Sequence, residues 1–182
     1  VIKDLTECFV NSGFKIFENN IKNNCIVKGI RAPKSSHKPR AWFDKLNNWA
    51  RDNGQKGLGY IIYSEEDFKG PIANNLNREN LNKIMEISKL QEGDSIFFIS
   101  DKIDEANKFA SIVRNELCKQ LDLLEKDIFK FCWIVDYPMY EIDAVTKKID
   151  FSHNPFSMPQ VDSNEFDKLD PLKVLAYQYD LV

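Results

Sequence analysis

Apolar side chains recur at helical spacing in several stretches of the chain and alternate or run together in others. Leu5 and Phe9 share a face of a predicted helix over Asp4–Val10, with Asp4 as its N-cap and Asn11-Ser12-Gly13 as its stop. Phe14–Phe17 and Cys25–Ile30 read as short strands, separated by a polar turn at Ile21–Asn24 and able to pair as a hairpin. Trp42, Phe43, Leu46, Trp49 and Ala50 mark an amphipathic helix over Arg40–Asn53. Gly57–Tyr63 reads as a strand and Arg78–Ser88 as a helix. Ser95–Ile99 is an unbroken apolar run after the tight turn Glu92-Gly93-Asp94, which predicts a central strand. Asp104–Leu121 carries the longest helical stripe, through Ala106, Phe109, Ala110, Val113 and Leu117.

Past Leu123 the pattern changes. Phe129–Val135 is a strongly apolar strand, and Met139–Asp143 with Lys148–Phe151 reads as a hairpin around Val145-Thr146. A proline-bearing loop over Asn154–Pro159 follows, then a short helix over Ser163–Leu169 capped by Ser163, then a strand over Val174–Val182. The order predicts an α+β protein in two parts, residues 1–124 with a mixed or antiparallel sheet and packed helices, and residues 125–182 rich in strands.

At 182 residues, this is one domain, or one small domain and a piece of another. A formal charge of −3 excludes a globally basic nucleic-acid coat but not a local basic patch. The longest apolar run falls far short of the ~20 residues of a membrane span. Val1-Ile2-Lys3-Asp4 carries neither an initiator Met nor a signal-peptide pattern, and Tyr179-Asp180-Leu181-Val182 reads as the middle of a strand. The expectation is a cytoplasmic fragment of something longer. Cys8, Cys25, Cys118 and Cys132 match no zinc spacing, and each sits in an apolar stretch, so four buried, reduced thiols are expected.

No glycine loop for phosphates is present, because Gly54, Gly57 and Gly59 lack the Lys-Ser/Thr or the helix that would follow. Gly57 and Gly59 instead allow a close backbone approach entering a strand. No Gly-x-Ser-x-Gly occurs. His153 lies between a strand and a proline loop, a place for either a ligand contact or loop stabilisation. Alternation puts Asp180 on one face with Gln178, Ala176 and Val182, which suits a solvated surface or the floor of a polar site equally. Asp136, before Tyr137-Pro138, reads as the cap of a bend, and Glu141 and Asp143 as solvated. Lys28, Arg31, Lys34, His37, Lys38 and Arg40 form a mild basic cluster, either an exposed loop or a phosphate contact.

The second part resembles bacterial aspartyl-tRNA synthetases. Phe131-Cys-Trp-Ile-Val-Asp-Tyr-Pro-Met-Tyr-Glu141 is similar to that family's Trp-Val-Val-Asp-Phe-Pro-Met-Phe-Glu strand. Ser152-His-Asn-Pro-Phe-Ser-Met-Pro159 resembles its His-His-Pro-Phe-Thr-Ser-Pro loop, and Ala176–Val182 its Ala-Tyr-Asp-Leu-Val strand, in the family's order and spacing. The first part resembles the insertion module of the same enzymes, the GAD domain. The matching segments are Asn11–Phe17, Lys56–Tyr60, Gly70–Ala73, Gly93–Phe98 and Arg114–Leu123.

The resemblance implies an insertion domain over 1–124 and part of a class II catalytic domain over 125–182. The parent would be an aspartate–tRNA ligase, forming an acyl-adenylate from aspartate and ATP and passing the acyl group to tRNA. His153 falls on the loop histidine that contacts aspartate. Asn154 falls on the loop's second histidine, a departure that makes it a possible site neighbour only. Asp180 falls on a carboxylate that helps hold Mg²⁺ and the ATP phosphates, its partner glutamate coming seven residues later. Gln178-Tyr179 departs from the common strand. Lys34, Lys38 and Arg40 are the candidate tRNA contacts. The parent would be a homodimer using ATP and Mg²⁺, with no membrane or DNA partner. The fragment, lacking motifs 1, 2 and 3 and the anticodon-binding domain, would be inactive and hold no cofactor. A free-standing tRNA- or protein-binding module with the insertion fold is the alternative, and it would have no need of the His153 loop or the Asp180 strand.

Overall fold

Ser95–Asp101 becomes the middle of a sheet because both of its faces are covered. The computed structural model describes residues 1–125 and 127–182, which fall into two units, Val1–Leu124 and Glu125–Val182. In the first, strands β1 (Ile2–Asp4), β2 (Ile26–Ala32), β3 (Gly59–Ser64), β4 (Asp67–Lys69) and β5 (Ser95–Asp101) form an antiparallel sheet in the order β1-β2-β5-β3-β4. Four helices cover it: α1 (Lys15–Lys22), α2 (Arg40–Asp52), α3 (Arg78–Ser88) and α4 (Ile103–Gln120).

Strand alternation divides the core in two. Ile96 and Phe98 point to one side and pack with Phe9, Phe17 of α1 and Leu81 and Ile84 of α3. Phe97 and Ile99 point to the other, with Phe43, Leu46 and Ala50 of α2 and Phe109, Ala110 and Val113 of α4. A strand packed on both faces reads as a continuous apolar run, which is the pattern of this one. Phe9 meets Phe17 and Phe98 edge-on, at ring-centroid distances of 4.9 and 5.4 Å.

Two expectations near the N-terminus are corrected. Phe14–Phe17 is not a strand but the approach to and first turn of α1. Ser12 Oγ accepts the Phe14 N–H at 3.2 Å and Glu18 Oε1 accepts the Gly13 N–H at 2.8 Å, so side chains satisfy donors around the helix entry. The spacing of Phe17 and Ile21 then fits a helix face better than a hairpin. Asp4–Val10 is not a single helix. Ile2–Asp4 joins the sheet beside β2, and only Thr6–Phe9 turns, as a 3-10 segment. Asp4 Oδ1 does accept the Thr6 N–H, at 2.9 Å, but Thr6 Oγ1 accepts the Val27 N–H at 2.9 Å and ties this segment to β2.

The second unit is made of short strands: β6 (Trp133–Ile134), β7 (Tyr137–Pro138), β8 (Tyr140–Ile142), β9 (Ile149–Phe151), β10 (Leu175–Ala176) and β11 (Asp180–Leu181), with α5 (Ser163–Phe166). β8 and β9 form the expected hairpin, and Asp143 Oδ1 accepts the Val145 and Thr146 N–H groups of its turn. The two long strands expected here are each broken. Of Phe129–Val135 only Trp133–Ile134 is strand, and of Val174–Val182 only the β10 and β11 pieces. β10 pairs with β7 and β11 with β6, so the breaks face each other. On one side Asp136 takes a left-handed conformation with φ 60°; on the other the Gln178 N–H closes on the Ala176 carbonyl at 2.8 Å. The cap of α5 is Asp162, whose Oδ1 accepts the Asn164 N–H at 2.9 Å, not Ser163. The core of this unit centres on Met139, Val174 and Ala176.

The cysteines also depart from expectation. Cys8 alone is buried, Cys25 and Cys118 are half-buried and Cys132 is exposed, though all four are free thiols. No helix among the described residues is long and apolar enough to cross a membrane.

Phe9 is fully buried at the junction of α1 and β5. Phe9→Ala is expected to lower stability by about 3–5 kcal/mol, the cost of a large cavity in a packed core. Urea unfolding followed by circular dichroism measures it, and a loss under about 1 kcal/mol would contradict this packing.

Candidate functional site

The broken strands of the second unit bring three of its side chains together. Asp180 lies on β11, Tyr137 on β7, and His153 in the loop after β9. The Tyr137 hydroxyl donates to Asp180 Oδ2 at 2.6 Å. The His153 ring stands edge-on to Tyr137, with centroids 4.9 Å apart and planes at 82°. Tyr137 is half-buried while His153 and Asp180 are exposed, so the tyrosine is the support and the other two remain open to a ligand.

Backbone pairing fixes the loop that carries His153. The Ser152 N–H donates to the Met139 carbonyl at 3.0 Å at one end. At the other, the Gln160 N–H donates to the Leu175 carbonyl and the Tyr177 N–H to the Met158 carbonyl, both at 2.8 Å. Side chains add to this: Gln160 Nε2 donates to Asp136 Oδ1 at 2.8 Å and to the Ala176 carbonyl at 3.0 Å, and Ser157 Oγ lies 3.3 Å from Gln178 Oε1. Asn154 Oδ1 accepts the Phe156 N–H at 2.9 Å, an Asx-turn that shapes the proline loop. Asn154 therefore has a local structural task that an imidazole would not perform in the same way.

Asp180 and Gln178 both stand on the polar side, but simple alternation fails: Ala176 is buried and the kink at Gln178 resets the strand. Asp136 does hold a bend, with Gln160 as its partner. Sequence reasoning gave no role to Tyr137 or Gln160, and noted Gln178 only for its place on the Asp180 face and as a departure from the common strand. The available signal was a tyrosine, with its hydroxyl, two positions before buried Met139.

A divalent cation fits this place only in part. Among the described residues no three His, Cys, Asp or Glu side chains gather to hold a metal. Asp180 offers one carboxylate, with Oδ2 taken by Tyr137 and no cation paired to it among the described residues. Mg²⁺ is commonly held by one or two carboxylates plus substrate phosphates and water, so a single carboxylate suits a cation that arrives with a nucleotide.

The basic candidates lie in the first unit. Arg31 Nε pairs with the buried Asp94 carboxylate at 2.6 Å. Asp94 also accepts the Lys34 and Gln91 N–H groups at 2.9 Å each, and Ser35 Oγ donates to the Ala32 carbonyl at 2.8 Å. Lys34 is thereby held with φ 50° and its side chain outward. Lys38 is half-buried, and Arg40 opens α2 with a loose pair to Asp44 at 3.8 Å. Arg31 is thus occupied structurally, and Lys34, Lys38 and Arg40 remain as the outward cations.

Residues 17–110 match the GAD domain family. The chain belongs to that family. The matched residues of the GAD domain all fall within the first unit. The whole chain, second unit included, is similar to bacterial proteins described as aspartate–tRNA(Asp/Asn) ligases. That of Gluconobacter oxydans is 50% identical over 182 residues, 30% of its own length. That of Paramagnetospirillum magneticum is 50% identical over 182 residues, 21% of its length. That of Ehrlichia canis is 48% identical over 183 residues, 31% of its length. The chain therefore spans less than a third of the curated relatives it matches.

The hydrogen bond to the Asp180 carboxylate raises the Tyr137 phenol above its usual pKa, with burial adding to it. A raised pKa favours the protonated form, so this interaction's contribution to stability is present below about pH 10 and disappears as pH rises past the native value. In absorbance titration Tyr137 is expected to ionise late together with Tyr60, whose phenol burial also raises, and Asp180→Asn to bring Tyr137 alone back toward the ordinary value. An unchanged titration in that variant would break the link.

Proposed function

We propose that this chain is part of an aspartate–tRNA ligase: the GAD domain followed by a strip of the class II catalytic sheet. The observation that carries the reading is its identity of about half, along its entire length, to relatives described as such ligases. The geometry of the second unit supports it, since the two side chains assigned to substrate both stand against Tyr137.

In this reading aspartate and ATP condense as the substrate's carboxylate oxygen attacks the α-phosphorus and pyrophosphate leaves. The acyl group then passes to the 3′-terminal hydroxyl of tRNA, releasing AMP. His153 contacts the aspartate carboxylate, by a hydrogen bond when neutral and by charge when protonated. Asp180 stands on the ATP side, where Mg²⁺, when bound, neutralises charge on the phosphates. Tyr137 holds both in register and occupies one oxygen of Asp180, leaving the other to face the ligand. Lys34, Lys38 and Arg40 meet tRNA phosphates, and the parent acts as a homodimer in the cytoplasm.

The test is aspartate-dependent ATP–pyrophosphate exchange in the full-length enzyme. His153→Ala is expected to raise the KM for aspartate by about tenfold or more, and Asp180→Asn to lower kcat by about a hundredfold, as for loss of a group acting on developing charge. Unaltered kinetics in both variants would sink the assignment. The isolated chain is expected to show no exchange.

Replacing Lys34, Lys38 and Arg40 with Ala is expected to weaken tRNA binding. It should also flatten the salt dependence, by about one unit of slope for each phosphate no longer neutralised. Filter binding across a salt series checks this; an unchanged slope would remove these residues from the interface.

A further inference from the structure

The glycines around the entry of β3 build a second candidate site, in the GAD domain. β3 pairs with β5 only as far as Gly59 opposite Phe98, and with β4 only from Ile62 onward. The start of β3 is thus left without β4, and a cleft of about 790 Å³ opens there between α1, α2 and the Gly70-Pro71 segment. That volume lies within the range of small-molecule sites.

Its lips are held close by residues without side chains. A Cβ on Gly59 would stand 2.5 Å from Ile72 Cδ1, and one on Gly57 2.8 Å from Asn47 Oδ1. Asn47 Oδ1 is already occupied, accepting the Leu58 N–H at 2.8 Å. Gly70, at φ +117°, would bring a Cβ within 3.1 Å of the Tyr60 carbonyl. Gly57 and Gly59, noted in the sequence as lacking a phosphate loop, thus have a place: they let the loop and strand close around this cleft.

The lining has two characters. Phe14 and Tyr60 are half-buried aromatic rings that line it, with Tyr60 stacked on Phe43 at 4.4 Å and so fixed in orientation. Arg51 and Lys56 stand exposed on the rim, and neither has an ion-pair partner among the described residues. The one carboxylate of the lining, Asp44, is shared with Arg40 at 3.8 Å. Deeper in, Asn20 Nδ2 donates to Ser100 Oγ at 3.1 Å, leaving the Asn20 carbonyl and the Ser100 hydroxyl proton to read a polar edge.

We propose that this cleft binds a nucleotide, its base against Phe14 and Tyr60 and its phosphate drawn to Arg51 and Lys56. Base stacking on aromatic rings tolerates any base, and the two cations supply charge-assisted contacts to phosphate. The nucleotide can be free or one residue of a single-stranded RNA, and the chemistry of recognition is the same. The site does not depend on the ligase reading, because its test involves no aminoacylation.

The experiment titrates the ¹⁵N-labelled 182-residue chain with AMP, with UMP and with a short single-stranded oligoribonucleotide of mixed sequence. Saturable shifts at the Gly57, Gly59 and Gly70 amides are expected. Arg51→Ala with Lys56→Ala should weaken binding by about tenfold or more, the loss of one charge-assisted hydrogen bond. Both side chains are exposed, and unchanged amide dispersion in the unliganded variant verifies its fold. Lys108→Ala with Lys119→Ala, both exposed on α4, should leave the affinity within about twofold, because these lysines lie outside the cleft. Shifts with mononucleotides identify a free nucleotide as the source, and shifts with the oligonucleotide alone identify RNA. No shift at these glycines with any probe would overturn the proposal. So would an affinity indifferent to Arg51 and Lys56, or one weakened equally through Lys108 and Lys119.

Discussion

The first unit depends on one strand being buried on both faces. Phe97 and Phe98 are neighbours in sequence, yet each is the middle of a different core, because successive side chains of a strand point to opposite sides. The pair of helices on each side then has a fixed floor. Every other strand of this sheet is placed relative to β5, directly for β2 and β3 and through them for β1 and β4. A polar substitution at Ile96, Phe97, Phe98 or Ile99 would bury an unpaired polar group whichever way it faced.

The same strand organises the loop chemistry at its start. Asp94, the residue before β5, is buried, and it can be so because Arg31 of β2 and the backbone N–H groups of Lys34 and Gln91 all converge on its carboxylate. Removing either charged partner would strand the other in a low-dielectric setting, which costs more than the pair contributes. Lys34, in the loop after β2, is thus positioned by this ion pair rather than by a helix or strand, while Arg40 sits on α2. The cleft at the other end of β3 is likewise a consequence of sheet geometry: it opens where β4 departs and glycine permits backbones to approach.

Legibility in the sequence followed length and periodicity. The helices α2, α3 and α4 and the strand β5 were readable to within a residue or two, because each carries a stripe or run long enough to allow one interpretation. Phe14–Phe17 was not, since four residues with alternating apolar character fit a strand as well as the start of a helix. What decides them is the hydrogen bonds of the Ser12 and Glu18 side chains to the backbone just ahead of the helix and the contacts of Phe17 with Phe9 and Phe98. The long strands of the second unit were misread for the opposite reason. Their apolar patterns are continuous, but the kinks at Asp136 and Gln178 come from backbone conformations and amide side chains that hydrophobic periodicity does not register. His153 and Asp180 were visible as candidates. Their meeting through Tyr137 was not, because it depends on β11 leaving β10 at the kink to pair with β6.

That meeting explains how an ordered site can exist on so thin a core. Met139, Val174 and Ala176 bury little apolar area, while Trp133, Phe131 and Tyr179 stay exposed, so packing alone gives this unit little rigidity. Its order rests instead on directional contacts: Gln160 spanning Asp136 and Ala176, Ser157 against Gln178, and Tyr137 against Asp180. Hydrogen bonds fix orientation more strictly than apolar contacts do. A tyrosine at this position, where the resembling synthetases carry phenylalanine, adds such a bond without altering the shape of the ring. It holds Asp180 by one of its two carboxylate oxygens. An exposed carboxylate thus keeps one orientation while remaining accessible.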